Sequence, residues 1–176
     1  LSASRNMAKR YRCNTSHGQK IENYALQIFD AMKKFHGLGT RERLLLQIAS
    51  ILHDCGKFIS LRDSSACAYN IIMATEIIGL SHAEREIVAE VVRCNLDAFR
   101  YGEGSIRAGK LTAMLRLANA MDRSHHGRLD DGKLQVKGNK LIISTSYAGN
   151  LALETMAVED KADFFEEMFG IRPEIR

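Results

Sequence analysis

The sequence predicts a mainly α-helical bundle that carries a small α+β appendage at its C-terminal end. Three observations predict it. Apolar residues recur at helical spacing through the first two-thirds of the chain. The one proline, Pro173, lies beyond that region, so nothing there breaks the helices. After Gly127 the pattern changes: KLQVKGNKLIIST alternates apolar and polar residues on both sides of Gly138-Asn139, a two-residue hairpin signal.

The elements follow in order. A short first helix is expected over residues 2–12. A second covers 15–35, with Ile21, Tyr24, Ile28 and Met32 on one face and His17 one turn back on it; Gly37 and Gly39 end it. A third begins near Thr40 with Leu44, Leu45, Ile48, Ile51 and Leu52. It delivers His53 and Asp54 at its end and stops at Gly56. A fourth runs over 65–78 to Gly79. Ser81-His82-Ala83-Glu84 is a capping box for a fifth helix, which turns Ile87, Val88, Val91 and Val92 inward. Residues 99–109, with three glycines, are expected as a loop. A sixth helix follows with Leu111, Leu115 and Ala118 on one stripe and Asp122 one turn further along it. Beyond the hairpin, 151–154 is expected to be extended. Residues 160–169 form an amphipathic helix whose Phe164, Phe165 and Met168 pack on the bundle. The expected division is a helical unit over 1–127 and a small α+β unit over 128–176.

Composition narrows the function classes. A chain of 176 residues with 45% hydrophobic and 26% charged content has material for one real core. No apolar run approaches the roughly 20 residues that span a membrane. The four cysteines, Cys13, Cys55, Cys67 and Cys94, are scattered without a CxxC pair. They read as reduced thiols of a cytoplasmic protein, not as a disulfide frame or zinc finger. The net charge of +4 permits a polyanionic partner without demanding one. No aromatic-interleaved basic stripe points to specific nucleic-acid binding. The start, LSASRNMAKRYRCNTSH, has no signal-peptide core and no initiating Met, as in a fragment or processed chain.

Three polar sites remain on or at the ends of apolar stripes: His17, His53-Asp54 and Asp122. Each alone has a plain explanation, because a single helix-face histidine is more often a hydrogen-bonded structural residue than a ligand. The two aspartates are harder to dismiss. Both end helices, where the dipole disfavours an anion. A divalent metal removes the difficulty. Two imidazoles and two carboxylates make an N2O2 set suited to Mn²⁺, Mg²⁺ or Fe²⁺ more than to a closed structural zinc site. Lys57 is placed to meet a phosphate as a point charge. Arg123, beside Asp122, reads equally as a phosphate ligand and as a surface-paired residue, and Arg116 flanks the same aspartate. His36 and His82 are expected at the surface; His125-His126 follow Asp122 closely enough to approach the site, but a solvated helix end is the expected reading.

The order His17…His53-Asp54…Asp122 resembles the HD superfamily of metal-dependent phosphohydrolases. The flanking text is more specific. SASRNMAKRYRCNTSHGQKIENYALQIFD, LHDCGKFIS, YNIIMATEIIGLSHAEREIVAEVVR and LRLANAMDRSHHGRL resemble, in order, the C-terminal half of the exopolyphosphatase / guanosine pentaphosphate phosphohydrolase family. The tail LIISTSYAGNLALETMAVEDKADFFEEMFGIRPEI resembles the end of those proteins. The resemblance implies an HD-domain-like helical bundle that binds inorganic polyphosphate or a guanosine polyphosphate and supports a homodimer. It also implies a partner region, an N-terminal ATPase-fold part of the same polypeptide that holds the phosphate-cleaving site. None of that region's glycine-rich phosphate loops occurs here. One departure stands out. Ser65, Cys67 and Asn95 occupy places where family members carry histidines, so a second metal held there would be lost. Two other functions remain open: a self-sufficient HD phosphohydrolase acting on a nucleotide or phosphate ester, and a non-catalytic dimerisation module.

Overall fold

A computed structural model describes residues 1–100 and 105–176. The helices are α1 Ser2–Arg10, α2 Thr15–Ala31, α3 Lys33–His36, α4 Thr40–Leu52, α5 Ser64–Ala74, α6 His82–Cys94, α7 Ile106–Met121 and α8 Ala152–Phe169. The strands are β1 Lys133–Lys137, β2 Lys140–Ser144 and β3 Arg172–Ile175. The chain is thus a helical bundle with a small α+β appendage. No helix is long and apolar enough to cross a membrane, among the described residues.

The bundle closes because each long helix buries a largely apolar face. Ile21, Tyr24 and Ile28 of α2 meet Leu45, Ile48 and Leu52 of α4, and Leu111 and Leu115 of α7 complete the layer. Val88, Val91 and Val92 bring α6 onto α4 and α7. Each fully buried aliphatic side chain contributes about 1.5–3 kcal/mol relative to exposure. Ser81 caps α6 through its hydroxyl, which accepts from Glu84 N at 3.2 Å, and the Glu84 side chain returns to Ser81 N at 2.9 Å. The appendage packs through α8 onto α7: Phe165 is fully buried, and Phe164 lies tilted against Phe99 beneath the Arg116 guanidinium.

Several boundaries differ from the sequence expectation. The second helix breaks at Met32, and a separate turn, α3, follows. α5 ends at Ala74 instead of reaching residue 78. α7 starts at Ile106, where the Ser105 hydroxyl accepts from Ala108 N, so the expected loop ends earlier; residues 101–104 lie outside the described part. The segment 151–154 is not extended. It is the first turn of α8, and the Asn150 side chain accepts from Ala152 N at 2.8 Å just ahead of it. The hairpin gains a third strand, β3, which runs parallel to β2 in the order β1-β2-β3. Pro173 sits on this edge strand, where a missing N–H is tolerated.

His36 is not at the surface but fully buried. Its Nδ1 accepts from Leu38 N at 2.8 Å, so Nε2 carries the proton and donates to the Phe29 carbonyl at 2.9 Å. This neutral ring staples the turn after α2, and burial pushes its pKa below the ordinary 6.5. The sign follows: below that value the unfolded chain takes up a proton that the folded chain refuses. Stability present above pH 6.5 is therefore lost as the pH falls towards the folded value. A urea midpoint that drops from pH 8 to pH 5, with a smaller drop in His36→Gln, is the expected result. A slope unchanged by the substitution would place the acid sensitivity elsewhere.

Candidate metal centre

Three helices deliver the polar residues to one place. Asn14 caps α2 by accepting from His17 N at 3.1 Å, which fixes His17 in the first turn. α4 ends at Leu52, and His53 and Asp54 follow before a 3-10 turn over Cys55–Phe58. Asp122 ends α7. The tight exit from α4 depends on Gly56. A Cβ there would lie 1.8 Å from the Ser64 carbonyl oxygen and 2.7 Å from Ala68 N, both backbone of α5.

Ligand atoms of His17, His53 and Asp54 come within 4.8 Å of one another. Among the described residues no second group of three His, Cys, Asp or Glu converges in this way. His53 is buried, and its Nδ1 donates to the Ser50 carbonyl at 2.7 Å. That bond leaves the Nε2 lone pair free, and Nε2 has no hydrogen-bond partner although it is buried. It stands 3.4 Å from Asp54 Oδ1. Burial pushes the His53 pKa down, against the pull of Asp54, so the ring is neutral and competent as a ligand. The Asp54 side chain is 11% exposed, and its Oδ1 accepts from Lys57 Nζ at 2.7 Å. Burial raises its pKa, but the charge and hydrogen bond of the Lys57 ammonium oppose that, and the carboxylate lies below its usual range.

Asp122 stands one step from the trio. Its Oδ2 meets His17 Nδ1 at 2.7 Å, and its Oδ1 accepts from Gly127 N at 2.9 Å. Burial raises its pKa, and the bonds from His17 and Gly127 more than offset this. His17 Nε2 faces Asn119 Oδ1 at 3.3 Å, so both ring nitrogens face an oxygen. The nearby thiols stay protonated: burial pushes Cys55 up to about 12 and Cys13 up to about 11. The donor set is therefore nitrogen and oxygen, which suits a hard or borderline divalent cation.

His125 departs from the expected solvated helix end. Its ring lies flat on His17, with centroids 3.8 Å apart and planes 12° apart. Its backbone has φ +58°, a left-handed conformation that few side chains adopt. No spacing rule could place it there, because the contact is made by an irregular turn. Beside the trio a cleft of about 390 Å³ is lined by His17, Lys57, Arg116, Asn119, Arg123, His125 and Lys161, with Asn95 and Asp160 among others. Lys57 and Arg123 thus share one cavity with His17. The Arg123 side chain makes no hydrogen bond or ion pair among the described residues, whereas Arg116 is committed to the Cys94 and Asp97 carbonyls. A second cleft of about 290 Å³, lined by Arg12, Asp54, Phe58 and others, meets the first at Lys57 and His125.

A family model described as Ppx/GppA phosphatase, domain III, matches residues 2–160. The chain belongs to that family. The match runs from α1 into α8 and so takes in His17, His53, Asp54 and Asp122. Of the family positions where histidines were expected, Asn95 is buried and lines the larger cleft, while Ser65 donates to Asp97 at 2.9 Å.

Proposed function

We propose that this domain of the Ppx/GppA phosphatase family holds one divalent metal, Mn²⁺, Mg²⁺ or Fe²⁺, through His17, His53 and Asp54, with Asp122 completing the charge of the site. Buried, neutral His53 carries the reading: its Nε2 has no partner and faces a carboxylate. An unpaired buried nitrogen is costly unless something binds it. A bound divalent metal would supply Lewis acidity towards a phosphoryl oxygen.

The chain's own residues do the rest. Lys57 and Arg123 give the cleft beside His17 a cationic wall for phosphate oxygens. Arg116, held by two backbone carbonyls, lines the same cleft. The ligand this fits is inorganic polyphosphate or a guanosine polyphosphate. The main cleavage would belong to an ATPase-fold region of the same protein, with this domain holding the chain and supporting a homodimer. Four free cysteines support a cytoplasmic setting.

Titration calorimetry with MnCl₂ tests the metal, followed by phosphate-release assays on polyphosphate and on a phosphodiester. One Mn²⁺ per chain, lost in His53→Ala, with polyphosphate bound and not cut, is the expected result. Turnover by the chain alone would favour the self-sufficient phosphohydrolase. A chain that binds neither metal nor polyphosphate would leave the dimerisation module.

A further inference from the structure

Glu154 is fully buried in the first turn of α8, in the appendage, far in sequence from the histidines and outside the expected site. A buried carboxylate is costly without partners, and an aliphatic residue there would pack α8 onto α7 more simply. Its partners explain it. Glu154 Oε1 accepts from Ser124 N at 3.3 Å and also from the Ser124 hydroxyl. The Arg128 guanidinium stands 3.7 Å from Oε2, which has no hydrogen bond. Glu154 therefore grips the turn that follows Asp122.

That turn is built to present groups to the centre. His125 N donates to the Asp122 carbonyl at 2.9 Å, and Gly127 N donates to the Asp122 carboxylate at 2.9 Å. Both His125 and Gly127 have positive φ. The turn's far end is held from α2, where Lys20 and Tyr24 donate to Asp130 at 2.8 and 2.5 Å. Its near end is held from α8, by Ser124 on Glu154. A left-handed residue persists where its surroundings hold it, and the stack of His125 on His17 depends on that residue.

We propose that Glu154 is a positioning residue of the metal centre, acting through Ser124 to hold His125 against His17 and Gly127 N against Asp122. The appendage thereby sets the affinity of a site whose ligands lie in the helical bundle. This rests on the metal reading of His17, His53 and Asp54.

The test uses the full chain. Mn²⁺ titrations on the wild type, Glu154→Ala, Glu154→Gln and Ser124→Ala are paired with urea midpoints of the metal-free proteins. Side-chain nitrogen NMR of the metal-free histidines accompanies them. The expected result is a roughly tenfold weaker Kd in Glu154→Ala and Ser124→Ala, the usual size for an outer partner of a metal ligand. Glu154→Gln, which keeps an acceptor for both Ser124 donors, should recover most of the affinity. The His17 and His125 ring signals should move in Ser124→Ala while those of His36 stay. Should Glu154→Ala fail to fold, Ser124→Ala carries the decision. A folded Ser124→Ala with wild-type Kd and wild-type His125 signals overturns the inference and leaves the metal reading intact. A wild-type chain that binds no Mn²⁺ overturns both.

Discussion

Gly56→Ala should destabilise the chain by about 3 kcal/mol, although the change adds one methyl group. The reason is what the methyl meets. Its carbon would lie 1.8 Å from the Ser64 carbonyl oxygen and 2.7 Å from Ala68 N. These are backbone atoms of the first turn of α5, so no rotamer change can relieve the clash. Either α5 retreats from the 3-10 turn or the turn itself moves. Retreat would open the contacts of Ala68 and Ile72, both buried in the core. Movement of the turn would displace Asp54, two residues earlier. The urea midpoint should therefore fall by about 1–2 M at an m-value typical of a small domain. Mn²⁺ affinity should fall with it in whatever fraction remains folded. A wild-type midpoint would mean that α5 does not approach Gly56 as closely as described. Gly79 offers the contrast. Unlike Gly56 it sits at positive φ, +92°, but nothing lies within 4 Å of its missing Cβ, so substitution there strains only the local backbone.

The contrast between these glycines marks what was legible in the sequence. That Gly56 stops a helix could be read from its place after an apolar run. That α5 returns to lie on it is a tertiary fact no local pattern carries. The helical stripes of α2, α4, α6 and α7 were legible because their burial repeats with the helical period. The stripe around Leu151–Glu154 was not, since Leu153 and Met156 are exposed and the buried member is the charged Glu154. A carboxylate on the inner face reverses the usual signal, so the start of α8 looked extended. His36 was misplaced for a related reason: a polar ring between Lys34 and two glycines reads as surface, and only its two backbone partners make burial tolerable. In the site, His17, His53 and Asp54 were singled out by their places on apolar stripes. His125 lies three residues after Asp122, yet its stacking comes from a left-handed backbone that residue type alone does not announce.

Asp122 is where the second large effect is expected. Asp122→Ala should weaken Mn²⁺ binding on the order of 100-fold or more, beyond the loss expected for an outer partner. Two consequences follow from its bonds. The substitution removes the acceptor for His17 Nδ1, which frees a ligand ring to turn. It also removes the acceptor for Gly127 N, which loosens the turn that carries His125. Each buried group left unpaired costs about 1–3 kcal/mol, so the metal-free protein should lose stability as well. Asp122→Asn separates the two effects. The amide oxygen can still accept from Gly127 N, so the stability loss should be smaller than in the alanine variant. The negative charge is gone, however, and the Mn²⁺ affinity should stay low. The pH dependence gives a third handle. The Asp122 carboxyl titrates below its ordinary 3.8 because His17 and Gly127 favour its charged form against burial. Its stabilising contribution is thus complete above that value and is lost as the pH falls through the folded pKa. Were Asp122 merely half of a buried ion pair with His17, Asp122→Asn would lower stability and leave the Mn²⁺ titration unchanged. Low affinity in a stable, folded Asp122→Asn chain would instead place the carboxylate's charge within the metal centre itself.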